Sequence, residues 1–426
     1  MNIVHWSSKN RSGMHHVAES MAQAELALGV DSRLMDPHDP KQDQWDIALD
    51  ADVHVLHTHV PDMIGKVPFK QACRKPYRMA FFHHGTPELI FENAVRDSES
   101  NGYGSAAGYS VSIALMKQAD ALMCSVPRHH ALFSLMMGKQ GTVDLIPMGM
   151  DLKYWSGGIN RGKYQGNPSF LNCENQYPFK WGVEYLKMWP WIRAALPEAF
   201  FHISNIPVGT QRFVDVLAAE YGAIYGAVIG NWNYLHSDLR NIFKQVDFYL
   251  SSVRYGDFNR MSMEVGASGC KVIAYPGNPY ADYWVREGDH RNVAADIIAI
   301  GKGDVEPRAD KLPIPTAQEM GHATINVYER ILNRGRTNWA LGGVLPGALP
   351  ENFREAIATA QGWGAAGAVE VTTTPLTEPT IPERAAHIEA ELVKLSDAVV
   401  AEFVPVLADF EATPALDEQI AAEATV

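Results

Sequence analysis

Histidines gather at the carboxyl side of two short apolar runs. His57 and His59 close the segment Val55-Leu56-His57-Thr58-His59, and His83-His84-Gly85-Thr86 follows Met79-Ala80-Phe81-Phe82. Strand alternation puts residues 57 and 59 on one face, and Gly85 lets backbone come close to whatever His84 touches. Imidazoles at one sheet edge suit a polar ligand, whereas a histidine on an apolar background is otherwise a hydrogen-bonded structural residue; both readings stay open. A metal site is the lesser reading, because no Asp or Glu accompanies the cluster.

Two later segments offer anion chemistry. Asn172 through Gly182 leaves an apolar run and enters a helical pattern with Lys180 in its first turn, where a cation opposes the helix dipole unless an anion docks on the amides. Ser251 through Cys270 leaves another run through a polar loop and enters a helix near Met261, with Glu264 close to its start. Exposed amides there suit a phosphate and the carboxylate suits a sugar hydroxyl. Each segment alone also reads as an ordinary solvated helix start. Near the amino terminus, Ser7 through Met14 is a polar loop whose Gly13 precedes a helix, a turn that also lets backbone approach an anion.

Parallel strands are the elements that would bring such loops to one edge. Strands are expected at residues 3–6, 32–35, 53–56, 79–82, 121–123 and 144–146, with a helix over Val17 to Leu28. After a polar, Gly-rich stretch from Trp155 to Asn167, read as a linker, the pattern restarts. Strands are expected at 169–172, 200–203, 227–229, 247–250 and 271–274, and helices over 180–195, 212–220 and 238–245, from about 261, and over 317–332. This alternation indicates α/β architecture in two Rossmann-like domains, 1–154 and 168–336.

Residues 337–426 form an acidic Ala- and Pro-rich extension, in which Ile388, Leu392, Leu395 and Val399 mark an amphipathic helix suited to packing or self-association. Residues 341–426 carry fourteen acidic and three basic side chains, so eleven of the thirteen net negative charges fall there and the body is nearly neutral. With 426 residues, 46% hydrophobic and 20% charged, the chain is neither disordered nor disulfide-stapled. Cys73, Cys124, Cys173 and Cys270 show no paired spacing and read as buried thiols in a reducing compartment. No apolar run approaches a membrane span and the start reads as a strand, so a cytoplasmic protein is expected.

Taken together, residues 1–334 resemble a family 4 retaining glycosyltransferase of the GT-B type, two Rossmann-like domains facing each other across a cleft. Val55-Leu56-His57-Thr58-His59 resembles the family's "DVVHAH", His83-His84-Gly85-Thr86 its "HGT", and Ala119 through Ser125 its "ADxvixvS". Leu145 through Asp151 is similar to "vIPNGVD", Lys180-Trp181-Gly182 stands at "KG", and Phe258 through Gly269 parallels "FGxxxLEAMAxG". Lys271-Val272-Ile273-Ala274 and Gly277-Asn278 follow as "PVIA" and "GG". Two departures stand out: Asn175 occupies the place of the family's diphosphate-binding Arg, and Gly256 that of the first Glu of its paired-Glu motif. Asp257 and Arg254 are the nearest replacements.

The resemblance implies transfer of a sugar from a UDP- or GDP-sugar to an acceptor hydroxyl with retention, without metal or resident cofactor. Lys180, Arg254 and the amides near Asn259, Arg260 and Met261 would meet the diphosphate, Glu264 the ribose, and His84 the donor sugar. His57, His59, Lys70 and Arg74 are acceptor-side candidates. Lys66, Lys70, Arg74, Lys75 and Arg78 carry five positive charges without an acid between them, suited to anionic membrane lipid at a peripheral site, to a nucleic-acid backbone, or simply to a solvated face. A GT-B sugar-nucleotide epimerase and a non-catalytic GT-B partner subunit are the alternative functions.

Overall fold

The computed structural model describes residues 1–7, 13–36, 47–48, 50–57, 77–84, 116, 119–137, 143–160, 162–163, 166–174, 182, 184–203, 227–229, 236–254, 260–334, and positions 386, 390, 391, 393 and 394. Their elements run β1 (Asn2–Trp6), α1 (Gly13–Ala27), β2 (Asp31–Met35), β3 (Val53–His57), β4 (Arg78–Phe82), β5 (Ala121–Cys124), α2 (Pro127–Met137) and β6 (Val143–Leu145). There follow α3 (Leu152–Ser156), β7 (Ser169–Asn172), α4 (Glu184–Ala195), β8 (Phe200–Ile203), β9 (Ala227–Ile229), α5 (His236–Phe243) and β10 (Phe248–Leu250). The order closes with α6 (Arg260–Ala267), β11 (Lys271–Ala274), β12 (Tyr283–Trp284), α7 (His290–Lys302) and α8 (Ala317–Asn333).

Every strand pair is parallel. The first sheet has the order β2-β1-β3-β4-β5-β6. The second has the order β12-β11-β10-β7-β8-β9. Parallel strands need helical crossovers, which cover both faces, and all five residues of β3 and all four of β5 and β7 are accordingly buried. The strand order reverses between β1 and β3 in one sheet and between β7 and β10 in the other. At such a switch point neighbouring loops leave in opposite directions and open a crevice beyond the carboxyl ends.

The described residues up to Arg334 divide into two units, the first containing Met1–Pro147 and α8 from Gln318, the second Met148–Ala317. Two parts of the sequence reading are corrected. The described residues of the expected linker 155–167 are bound into the second unit: Trp155 is buried and stacks on Phe243, the Ile159 amide donates to Asn241 Oδ1 at 2.8 Å, and the Asn167 amide donates to the Glu198 carbonyl at 2.8 Å. One large aromatic with a pocket outweighs the glycines around it. The helix expected to close the second domain at residue 336 instead groups with the first from Gln318. Its Thr324 hydroxyl donates to Glu25 Oε1 at 2.7 Å, and a Cβ on Gly321 would come within 3.1 Å of Ala24 Cβ, so glycine permits the close approach of α8 to α1.

α4 begins at Glu184 rather than at Lys180, and α7 and β12 had no counterpart in the expected elements. The expected helix over 212–220, the basic positions 66–75 and nearly all of the extension lie outside the described residues. Arg78 leaves the basic group: its guanidinium is 12% exposed and bound to Asp120 Oδ1 at 3.0 Å, a partner 42 positions away. Cys124, Cys173 and Cys270 are buried free thiols, and burial pushes each thiol up. Among the described residues no helix is long and apolar enough to cross a membrane.

Candidate functional site

Each unit presents polar side chains at its switch point. In the first, three adjacent strands contribute one imidazole each: His5 from β1, His57 at the end of β3, and His84 two residues beyond β4. Neighbouring strands stand about 4.8 Å apart. The ring centroids are 5.3 Å apart for His5 and His57 and 4.9 Å for His57 and His84. One histidine per strand therefore spans the inter-strand step, and the rings hydrogen-bond in file. His5 Nδ1 meets His57 Nε2 at 3.0 Å, and His57 Nδ1 meets His84 Nε2 at 2.7 Å.

The file starts at a carboxylate. Glu25, fully buried on α1, meets His5 Nε2 at 2.8 Å and accepts from the hydroxyls of Ser32 and Thr324 at 2.7 Å each. Burial works to raise its carboxyl, but the His5 charge and the bonds from His5, Ser32 and Thr324 outweigh that and hold it below the usual range. Burial first, then the charges of His84, His5 and His15, push the His57 ring well below its ordinary value. Neither His5 nor Glu25 was among the sequence candidates. The available signal was an acid on the buried stripe of α1, since such a group must be paired. Among the described residues no three ligating side chains converge as a metal would require.

His83 turns to the other face, is buried, and meets the Phe133 ring edge-on at 4.7 Å, a structural role. His59 lies outside the described residues. Gly13 opens α1, and a Cβ there would meet nothing within 4 Å, so described packing does not require a glycine.

In the second unit a buried polar network lies at the carboxyl ends of β7 and β10, the switch point of that sheet. Asn172 donates from Nδ2 to the Leu250 carbonyl at 2.8 Å. Glu174, 2% exposed, accepts from Tyr249 Oη at 3.1 Å, Ser251 Oγ at 2.9 Å and Ser252 Oγ at 2.7 Å. These bonds tie the mouth of β7 to that of β10. A Cβ on Gly182 would fall 2.1 Å from Asn172 Oδ1, so any larger residue there would have to push the Asn172 side chain off its bond to Leu250.

The start of α6 reaches the same mouth, where Cys173 Sγ lies 3.9 Å from Met261 Sδ. Within α6, Arg260 Nε donates to Glu264 Oε1 at 2.7 Å, with the two side chains 12% and 4% exposed. Glu264 is thus a buried, paired carboxylate rather than an open one. Arg254 is bound by the Glu184 carboxylate and lies over the Tyr275 ring at 5.1 Å, so an incoming anion competes with Glu184 for its charge. Burial opposes that charge, but Tyr275 and Glu184 together raise the guanidinium above its ordinary value. Lys180, Asp257 and Asn259 lie outside the described residues, as do Lys70 and Arg74.

No protein-family model matches this chain, and no curated protein matches it significantly. Solved structures do. A sucrose-phosphate synthase from Thermosynechococcus elongatus is 15% identical, with 78% of this chain and 96% of that one aligned and a TM-score of 0.52. HepE from Anabaena, in complex with UDP and glucose, is 11% identical over 77% of this chain and 99% of that one, with a TM-score of 0.54. The catalytic domain of starch synthase IV from Arabidopsis thaliana, bound to ADP and acarbose, is 9% identical over 78% and 100%, with a TM-score of 0.52. At these identities the likeness is one of fold: the chain has the two-domain GT-B architecture.

Proposed function

We propose that this protein is a glycosyltransferase that moves a sugar from a nucleoside diphosphate sugar to an acceptor hydroxyl with retention. The observation that carries the reading is the second unit's β7–β10 switch point, where the start of α6 brings Arg260 and Glu264 to a crevice of the type that binds nucleotides in parallel sheets. In the reaction the bond from the anomeric carbon to the diphosphate oxygen breaks and a bond to the acceptor oxygen forms. The acceptor's proton passes to the departing phosphate. Lys180, the amides opening α6 and Arg254 would stabilise the charge growing on the diphosphate, Glu264 would take the ribose hydroxyls, and His84 would contact the sugar. His57 and the basic residues Lys66, Lys70, Arg74 and Lys75 would serve the acceptor side, for which an anionic lipid and a nucleic acid are the two candidate classes.

A non-catalytic GT-B partner subunit is the competing reading, favoured by Asn175 and Gly256 at positions where the family resemblance calls for Arg and Glu. Incubation with a panel of UDP- and GDP-sugars separates these two readings and the epimerase alternative. Donor hydrolysis or transfer supports the proposal, isomerisation indicates an epimerase, and donor binding without turnover indicates the subunit. Because side chains and amides replace the cation in this scheme, EDTA should leave turnover unchanged. Loss on chelation with recovery on manganese or magnesium would overturn the metal-free mechanism.

A further inference from the structure

The Glu25–His5–His57–His84 file has a property that no single histidine has. A neutral imidazole carries one N–H donor and one bare acceptor nitrogen, so a ring bonded at both nitrogens passes on the sense of its bonds. Glu25 is ionised and only accepts, which puts a hydrogen on His5 Nε2. If His5 is neutral, its Nδ1 accepts from His57 Nε2–H, and His57 Nδ1 accepts from His84 Nε2–H. His84 then presents Nδ1 as an acceptor. If His5 carries a second hydrogen, its Nδ1 donates, both later bonds reverse, and His84 presents Nδ1–H as a donor.

We infer that Glu25, His5 and His57 form a proton wire that sets whether His84 donates or accepts at Nδ1, the wire's single extra proton being held on His5 against the Glu25 carboxylate. A proton arriving at His84 Nδ1 releases the Nε2 proton to His57 Nδ1, and His57 releases its own Nε2 proton to His5 Nδ1. Two rings exchange tautomers, one becomes an imidazolium, and nothing but one proton enters. The charge ends on His5, where the ionised Glu25 carboxylate meets the ring at 2.8 Å. His57, fully enclosed between two imidazoles, is the costliest place for it, consistent with the depression of its ring.

The titratable groups facing the file, among the described residues, are Glu25 and His15 from α1 and Tyr328 from α8. Burial, then the neighbouring Glu25, keep the Tyr328 hydroxyl protonated. Ser32 and Thr324 add neutral donors to Glu25. Only the consequence for the sugar rests on the glycosyltransferase reading: the charged wire gives a sugar oxygen a donor, and the neutral wire gives a sugar hydroxyl an acceptor. Glu25, His5 and His57 are positioning residues, acting through His84.

The wire is tested without substrate, by nitrogen NMR of the full chain labelled in histidine between pH 5 and 9. One transition should appear in which His57 and His84 exchange tautomers while only His5 gains imidazolium character. Glu25→Gln should move that transition down by about 1 to 3 pH units, the range for loss of an adjacent opposite charge. Thr324→Val, which removes a neutral donor to the same carboxylate, should leave it in place. His57→Gln cuts the wire, so His84 should then titrate alone and itself become an imidazolium. If Glu25→Gln fails to fold, wild type and His57→Gln still decide. An imidazolium at His84 in wild type, a row that keeps one tautomeric state over the whole range, or an unchanged His84 titration in His57→Gln overturns the inference. Absence of nucleotide-sugar turnover would overturn the proposed function and leave these spectra as they are.

Discussion

Lys180→Ala should lower kcat by about 10²- to 10³-fold with little change in KM, the loss typical when one preorganised charge-stabilising group is removed from a transition state. The role follows from its place in the family resemblance, two positions before Gly182, which packs against Asn172 at the mouth of β7 and β10. Glu264→Gln should behave differently. It keeps the volume of a buried side chain and a hydrogen-bonding oxygen for Arg260, but replaces a charged acceptor of ribose hydroxyls by a neutral one. A charged hydrogen bond contributes about 1.5–3 kcal/mol, so donor KM should rise roughly 10- to 100-fold with kcat little changed. Steady-state kinetics across donor concentrations, with circular dichroism to verify the fold, separate the two effects. Near wild-type turnover in Lys180→Ala, or an unchanged donor KM in Glu264→Gln, would remove that residue from the site.

The parallel strands were legible because burial on both faces demands uninterrupted apolar runs, as in Ala121-Leu122-Met123-Cys124 and Val272-Ile273-Ala274. The edge holding His57 and His84 was legible for the same reason, since the ends of such runs mark where loops begin. What was missed depends on partners far apart in sequence. Glu25 meets Thr324 across 299 positions and Arg78 meets Asp120 across 42, so counting charges locally misjudges both the acid in α1 and the basic segment. By composition Trp155 reads as part of a linker, because composition cannot say that Phe243 waits for it. α7 is another matter, since its signals were local. Asp289 caps its first turn by accepting from the Arg291 amide at 2.9 Å, Gly303 ends it in the left-handed region at φ 79°, and Val293, Ala294, Ile297 and Ile300 form its buried stripe.

Acid should destabilise the first unit before its carboxylates are titrated, and His54 is one cause. It lies in β3, 1% exposed, and accepts at Nδ1 from Trp6 Nε1 at 3.1 Å, with Tyr77 edge-on to its ring at 4.7 Å. Burial pushes it down to about 4, against an ordinary value near 6.5 in an unfolded chain. Above pH 6.5 both states are neutral at this ring and stability is complete. As pH falls below that, the unfolded chain takes up a proton that the folded chain refuses, so stability is lost progressively until the folded ring protonates near pH 4. A gap of about 2.5 pH units corresponds to about 3 kcal/mol, a large part of the 5–15 kcal/mol that holds a typical domain. His57, also depressed, adds a loss of the same sign. Urea unfolding at pH 8, 7, 6 and 5 should show the midpoint falling steeply below pH 6.5. In His54→Gln, whose amide oxygen can still accept from Trp6 but cannot titrate, the fall should be shallower by about 2 kcal/mol at pH 5, the rest of the difference developing only near pH 4. Parallel curves for the two proteins would mean that His54 binds its proton equally well in both states, and the acid lability would then have to come from the His5–His57–His84 file alone.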